Sequence, residues 1–254
     1  MRRVVFVDLD DTLFQTARKN PGAQALAALD RDGKPLSFQS TRQVAFLEWL
    51  SADAVIVPVT GRSVEAFRRV TLPLGPRAIC SFGGVILGAD GLPHPEWHRQ
   101  MSQKAQATAR VMEQLDHTVG QAVARTGVDA RHHIIHDAEL ALYLSIKHNG
   151  GSAEETARLA QALAPAVPEG WTTHLNGANM ALLPPFLGKR AAVAFFLETQ
   201  LGDGPLLTIG FGDSLTDLGF MSLCDYALTP SRSQILGFLN TTWPDVAAMA
   251  DSAA

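Results

Sequence analysis

Three apolar runs in this sequence stop abruptly at a polar residue, and that pattern constrains the fold more than any other feature. Residues 4–7 (VVFV) end in Asp8, residues 54–59 (AVIVPV) in Thr60, and residues 206–211 (LLTIGF) in Gly212-Asp213. Runs this short, rich in β-branched and aromatic side chains, suit strands buried on both faces. Pro58 removes a ladder donor, which argues against a central position for the second run. Helical spacing recurs between the runs, with Val44, Phe46, Leu47 and Leu50 in 41–50 and further helices expected at 63–70 and 189–201. Short strands are expected at 78–80 and 225–228. Strands alternating with helices predict a parallel sheet covered on both faces. Such sheets bind ligands beyond the carboxyl ends of their strands, so the polar residues that end the runs can converge on one crevice.

The remaining segments have a different character. Residues 14–40 are polar and mixed, and Asp32-Gly33 between LAAL and PLSF predicts a hairpin-like flap. Residues 100–126 are rich in alanine and glutamine and predict a helix, followed by strands at 132–137 and 140–148 and a helix at 153–163. Two more strands, 171–175 and 179–183, flank Asn176-Gly177, a turn dipeptide. The order helix-strand-strand thus occurs twice, without a residue pattern that would make it a sequence repeat. The expectation is an α/β core of residues 1–85 and 184–254, with an α+β module, 86–183, inserted into it and packed over it.

Asp8, Asp10, Asp213 and Asp217 can meet at the crevice. Like charges at close range raise a pKa or demand a cation. A small group of hard oxygen ligands suits magnesium (Mg²⁺), which also bridges phosphate oxygens, and Lys189 would offset further charge. Asp8 and Asp10 stand two apart and can address one ligand, the first as nucleophile and the second as proton donor. A carboxylate that attacks phosphorus gives an aspartyl-phosphate, and its neighbour must protonate the leaving oxygen and then activate water. The Thr60 hydroxyl and the amides that follow it, at Gly61 and Arg62, suit phosphate oxygens at a strand–helix junction. Lys189 is a point charge for the same oxygens. Phosphoryl transfer needs in-line positioning and charge neutralisation above all, and this set supplies both.

Several residues carry two readings. Arg62 is a phosphate or substrate contact, or a solvated charge at a helix start. Asp11 caps the following turn or binds metal, and Asp217 serves the metal site or a helix start. His132, His133 and His136 look like a zinc cluster, but 132 and 133 face opposite sides of a strand. Asn176 and Asn179 read sugar hydroxyls or shape a turn, and 81–84 (SFGG) allows close backbone approach to a substrate.

Composition narrows the partners. A net charge of −4 and a pI near 6.0 lack the basic face of a general nucleic-acid binder. Cys80 and Cys224 are too few for a disulfide framework and lie in apolar surroundings, as expected of buried thiols in a reducing compartment. Acids interrupt the first apolar run, which excludes a signal peptide or membrane span there. The expected setting is the cytoplasm, with neither membrane nor nucleic acid as partner.

Asp8-Leu9-Asp10-Asp11-Thr12, Thr60, Lys189 and Gly212-Asp213-Ser214-Leu215-Thr216-Asp217 resemble, in order, the four motifs of the haloacid dehalogenase superfamily. The resemblance implies a Rossmann-like core with Asp8 as nucleophile and Asp10 as general acid/base. It implies that Thr60 and Lys189 hold the transferring phosphoryl group. Asp8, Asp213 and the backbone carbonyl of Asp10 would bind Mg²⁺, with Asp217 supporting the metal site. A second aspartate, here Asp10, marks the phosphatases of the superfamily and is missing from its dehalogenases. Thr60-Gly61-Arg62 and an insert between the second and third motifs resemble the Cof-type and sucrose-phosphatase-like branch, mostly sugar phosphatases. Thr216 stands where Cof-type members usually have asparagine, and 14–40 is longer than the usual flap.

The expected activity is hydrolysis of a small phosphorylated metabolite, with a sugar phosphate favoured. The rivals are a phosphotransferase or hexose-phosphate mutase on the same core, as in phosphomannomutases, and a phosphate-ligand-binding protein without turnover. The sequence carries no sign of oligomeric state.

Overall fold

The computed structural model of the chain describes residues 1–243 and divides into two compact units, Met1–Leu92 with the chain from Lys189 onward, and Pro93–Gly188. The first segment holds β1 (Arg2–Val7), β2 (Gln15–Thr16), β3 (Ala25–Leu29), β4 (Pro35–Gln39), α1 (Thr41–Ser51), β5 (Val55–Pro58), α2 (Val64–Phe67), β6 (Ala78–Cys80) and β7 (Val85–Leu87). The second unit holds α3 (Pro95–Thr126), β8 (Ala130–Asp137), β9 (Leu140–His148), α4 (Ala153–Leu163), β10 (Thr172–Asn176) and β11 (Asn179–Leu183). The returning segment adds α5 (Lys189–Thr199), β12 (Leu206–Phe211), α6 (Leu218–Met221), β13 (Tyr226–Leu228) and α7 (Gln234–Thr242).

The main sheet has the order β13-β12-β1-β5, and every pair in it is parallel. β1 is central because nothing in its second half is polar: Val5, Phe6 and Val7 are fully buried, and the Phe6 ring meets Phe196 of α5 edge-on at 5.7 Å. Burial of such side chains supplies about 1.5–3 kcal/mol each. The chain leaves β1 toward β5 on one side and returns through β12 and β13 on the other. The order therefore reverses at β1, which is where open α/β sheets place a ligand. Pro58 fits the end of β5 without an orphaned partner. The Val59 N–H bonds to Val7 O on the β1 side, whereas Thr60 N–H bonds outward to Ile79 O, so the donor missing at Pro58 lies on the outward side.

The second unit is a four-stranded antiparallel sheet, β10-β11-β9-β8, with α3 and α4 packed on it through Met112, Leu115, Val119, Leu144, Ile146 and Leu159. α3 starts at Pro95, ahead of the expected residue 100, because proline suits a first helical position and the His94 ring accepts the Trp97 N–H at 3.4 Å. The sheet separates the histidines: His132 lies 2.7 Å from Asp116 of α3, while neighbouring His133 pairs in register with Ser145. Gly177, with φ at 57°, turns the β10–β11 hairpin that Asn176-Gly177 predicts.

Three boundaries depart from expectation. Val85–Leu87 pairs with Ala78–Cys80, so the chain passes into the second unit at Pro93 and not at residue 86, and it returns at Lys189 and not at 184. The helix expected over 63–70 shortens to Val64–Phe67 because the next residues pair with β3: Leu29 N–H bonds to Arg69 O and Thr71 N–H to Ala27 O. The flap is a three-stranded sheet, β2-β4-β3, whose turn is held by Asp30 Oδ1 accepting the N–H groups of Asp32 and Lys34. Among the described residues no helix is long and apolar enough to cross a membrane.

Candidate active site

The register of the main sheet brings the three chain-distant polar ends together. Val7 pairs with both Pro58 and Phe211, so Asp8, Thr60 and Asp213 leave the sheet along one edge. Backbone bonds fix the exits: Asp8 N–H donates to Phe211 O at 2.8 Å, and Gly212 N–H to Leu228 O at 3.2 Å. Lys189 enters from α5 as its first residue. Asp8, Thr60, Lys189, Asp213 and Asp217 are all buried.

Lys189 Nζ lies 2.7 Å from Asp8 Oδ1 and 2.6 Å from Asp217 Oδ1. The other Asp217 oxygen accepts from Ser214 N–H at 2.9 Å and from Ser214 Oγ at 2.8 Å. Thr12 Oγ1 stands between the remaining acids, 3.2 Å from Asp8 Oδ2 and 3.3 Å from Asp213 Oδ1. Gly212 is required by this packing, since a Cβ there would meet the Asp217 Cβ at 2.5 Å. Sequence reasoning gave Thr12 and Ser214 no role. Their offsets were the available signal: Thr12 follows Asp8 by one helical turn, and Ser214 lies three before Asp217. Asp217 does stand at the start of α6, but its side chain caps no backbone N–H there.

One oxygen from each of Asp8, Asp213 and Asp217 falls within 4.8 Å of the others, the sole such convergence of metal-type side chains among the described residues. Hard oxygen donors so close together fit a small divalent cation. Asp217 uses its oxygens on Lys189 and Ser214, and Asp8 uses one oxygen on Lys189 and the other on Thr12. Burial pushes the Asp8 carboxyl well above its ordinary range; Lys189 opposes the shift, and Asp217 and Asp213 add to it. For Lys189, burial works against the ammonium, but Asp217 and Asp8 outweigh it and hold the lysine protonated.

Asp213 is pushed from its ordinary 3.8 up to about 7 by burial, then by Asp217 and Asp11. The cation-free folded chain thus keeps a proton that the unfolded chain releases near 3.8. Between these values the unfolded state binds fewer protons, so this contribution to stability is present at low pH and lost as pH rises through about 7. Urea unfolding in EDTA is expected to give a lower midpoint at about pH 8 than at about pH 5, with a shallower slope in Asp213→Asn. An equal slope in that variant would contradict the assignment.

The Asp10 carboxylate lies outside this cluster. Arg62 holds it through a two-point fork, Nε to Oδ2 at 2.6 Å and Nη2 to Oδ1 at 2.7 Å. The guanidinium therefore meets a carboxylate of the chain itself, and its role as a free helix-start charge is excluded. Thr60 Oγ1 accepts the Arg62 N–H at 3.1 Å. Gly61 lies against the Phe82 ring, 2.5 Å from where a Cβ would sit. Asp11, at φ 66°, turns its side chain to Lys19. Ser81, Phe82 and Gly83 take positive φ values of 50°, 54° and 96° in a buried turn.

No family model matches the sequence, and no curated protein matches it. Solved structures do. Sucrose-phosphatase of Synechocystis, determined with sucrose and phosphate, superposes with a TM-score of 0.53 at 17% identity, over 96% of this chain and 89% of that one. The C-terminal domain of C. albicans trehalose-6-phosphate phosphatase gives 0.52 at 14% identity, over 97% and 78%. A Streptococcus mutans protein gives 0.55 at 14% identity, over 92% and 89%. The chain thus has the haloacid dehalogenase fold with its inserted module, in agreement with the motif resemblance.

Proposed function

We propose that this protein hydrolyses a small phosphomonoester through an aspartyl-phosphate on Asp8. The observation that carries the reading is the Asp8 carboxylate itself. It is buried at the end of β1, held by Lys189 on one oxygen and by Thr12 on the other, and fixed beside Asp213. A carboxylate used only for folding gains nothing from two further buried acids at that range.

In the first step an Asp8 oxygen attacks phosphorus, the bond from phosphorus to the ester oxygen breaks, and Asp10 supplies the proton that the leaving oxygen takes. In the second step a water attacks the same phosphorus and gives its proton to Asp10. The bond to Asp8 then breaks, which releases inorganic phosphate and restores both acids. Lys189 and the Thr60 hydroxyl neutralise and orient the phosphoryl oxygens. Asp8, Asp213 and the backbone carbonyl of Asp10 are the groups proposed to hold Mg²⁺, with Asp217 behind them. When bound, the ion supplies positive charge against the phosphoryl oxygens and relieves the repulsion among the acids.

A phosphorylated sugar is the favoured substrate class. It is supported by the likeness in fold to sucrose-phosphatase and trehalose-6-phosphate phosphatase. A panel of sugar phosphates and p-nitrophenyl phosphate, assayed for free phosphate, tests the reading. Release is expected with Mg²⁺ and is expected to stop in EDTA. Isomerisation of a hexose phosphate without free phosphate would replace the reading with a mutase, and Mg²⁺ binding without any product would replace it with a binding protein.

A further inference from the structure

We infer that Arg62 is a positioning residue for Asp10, aiming its carboxyl at the leaving group, and is not a phosphate contact. The inference rests on the hydrolase reading above and assigns a role inside that site. Three observations carry it. Both Asp10 oxygens are held by one guanidinium in the planar two-point arrangement that fixes direction as well as distance. Among the described interactions, the Asp10 side chain has no other fixed partner, and at 41% exposure it would otherwise be free to rotate. Arg62, by contrast, is largely buried, with a side chain 12% exposed.

Arg62 is itself held from several sides. Its guanidinium lies 5.1 Å above the Phe14 ring, and Nη1 reaches Ala66 O at 3.4 Å. Its backbone N–H donates to Thr60 Oγ1, and its carbonyl accepts Ser81 N–H at 2.7 Å. The Ser81–Gly83 turn is wound left-handed at three successive residues, and it seats the Phe82 ring where any side chain at position 61 would go. Non-glycine residues at positive φ cost energy, so this turn persists because its surroundings dictate it. The outcome is a 60–62 turn held by hydrogen bonds and by the Phe82 ring, which delivers the Arg62 fork to a residue 52 positions earlier. A guanidinium engaged on both nitrogens that face Asp10 has little left to offer a phosphoryl group. A loose phosphate contact would need none of this bracing.

Leaving-group dependence separates the two roles. p-Nitrophenolate departs as a stable anion and needs little help from an acid, whereas the alkoxide of benzyl phosphate must be protonated as it leaves. The two esters are of similar size, and kcat/KM reports the first phosphoryl transfer for both. Arg62→Ala and Arg62→Lys, the second of which keeps the charge but loses the fork, are expected to lower kcat/KM for benzyl phosphate by about 10²-fold or more, in the range of general-acid catalysis. For p-nitrophenyl phosphate the loss is expected to stay below about 10-fold in both variants. Equal losses on the two esters would make Arg62 a phosphate contact, and no loss on either would make it a structural charge; each result overturns the inference. A merely structural role would shift the unfolding midpoint without changing the ratio between esters. If the unaltered protein releases phosphate neither from these esters nor from any sugar phosphate, the hydrolase reading fails and takes the inference with it. If it hydrolyses both but the ratio stays fixed in the variants, the inference alone fails.

Discussion

Asp8→Asn is expected to abolish turnover, lowering kcat by at least about 10³-fold on any substrate the protein accepts. The carboxamide has nearly the shape of the carboxylate, can still accept from Lys189 through its oxygen, and keeps the β1 end in place. What it loses is the nucleophile. The loss should therefore fall on kcat, with substrate binding retained. Stability gives the control. Burial above all holds the Asp8 carboxyl above the ordinary range, against the pull of Lys189, and Asp217 and Asp213 add to it. Removing one like charge from such a group relieves repulsion, so the unfolding midpoint in EDTA should hold or rise. An inactive variant of undiminished stability is the expected pair of results. A variant that still releases phosphate at a substantial rate would remove Asp8 from the chemistry.

Lys189→Met should fail in both respects. The Lys189 side chain is 5% exposed and bridges Asp8 to Asp217, whose own side chain is fully buried. Methionine fills similar space but leaves both acids without their cation. Breaking a buried pair by removing one partner typically costs about 3–5 kcal/mol, and urea unfolding in EDTA should show a loss of that order. Losing a fixed positive charge that faces the developing charge on the phosphoryl group should cost a further factor of about 10²–10³ in kcat. Added Mg²⁺ is expected to recover part of the stability, because it supplies the missing charge to the same acids, and little of the activity. An unchanged midpoint would mean that the Asp8–Lys189–Asp217 bridge contributes nothing to the folded state.

Asp8, Thr60 and Asp213 could be found in the sequence for a simple physical reason. A strand buried on both faces must be apolar along its length, and its first polar residue marks the edge where ligands bind. β1 and β5 obey that rule, β12 departs from it only at Thr208, whose hydroxyl is bonded to Asp225, and the parallel register carries the pattern into three dimensions. Lys189 was recognisable by its motif, though not by periodicity, since nothing in a helical pattern announces that its first residue is a buried cation. Thr12 and Ser214 escaped because a hydroxyl beside an acid is common, and only the packed site shows which carboxylates they meet. Arg62 illustrates a deeper limit. Its partner lies 52 residues away, and the contact depends on Gly61, on the Phe82 ring and on a left-handed turn at Ser81 and Phe82. None of these has a local signature beyond a glycine pair at 83 and 84.

The unit boundaries show the same division between local and non-local information. The hairpin of β6 and β7 belongs to the first unit through strand pairing with residues that precede it, so the boundary expected at residue 86 falls inside that hairpin. α2 ends early because the residues after it pair with β3, a tertiary demand that overrides helical spacing. The histidines looked like a cluster while only their spacing was known, and the sheet then assigned His132 to Asp116 and turned His133 to the other face.

The most direct test of a covalent Asp8 intermediate is to quench the protein in acid during turnover, reduce it with borohydride and locate the modified residue by peptide mass spectrometry. An acyl phosphate is reduced to the alcohol, so the expected result is homoserine in place of aspartate at position 8 and aspartate retained at 10, 213 and 217. Homoserine at another of these positions, or none at all in a sample that is demonstrably releasing phosphate, would contradict it.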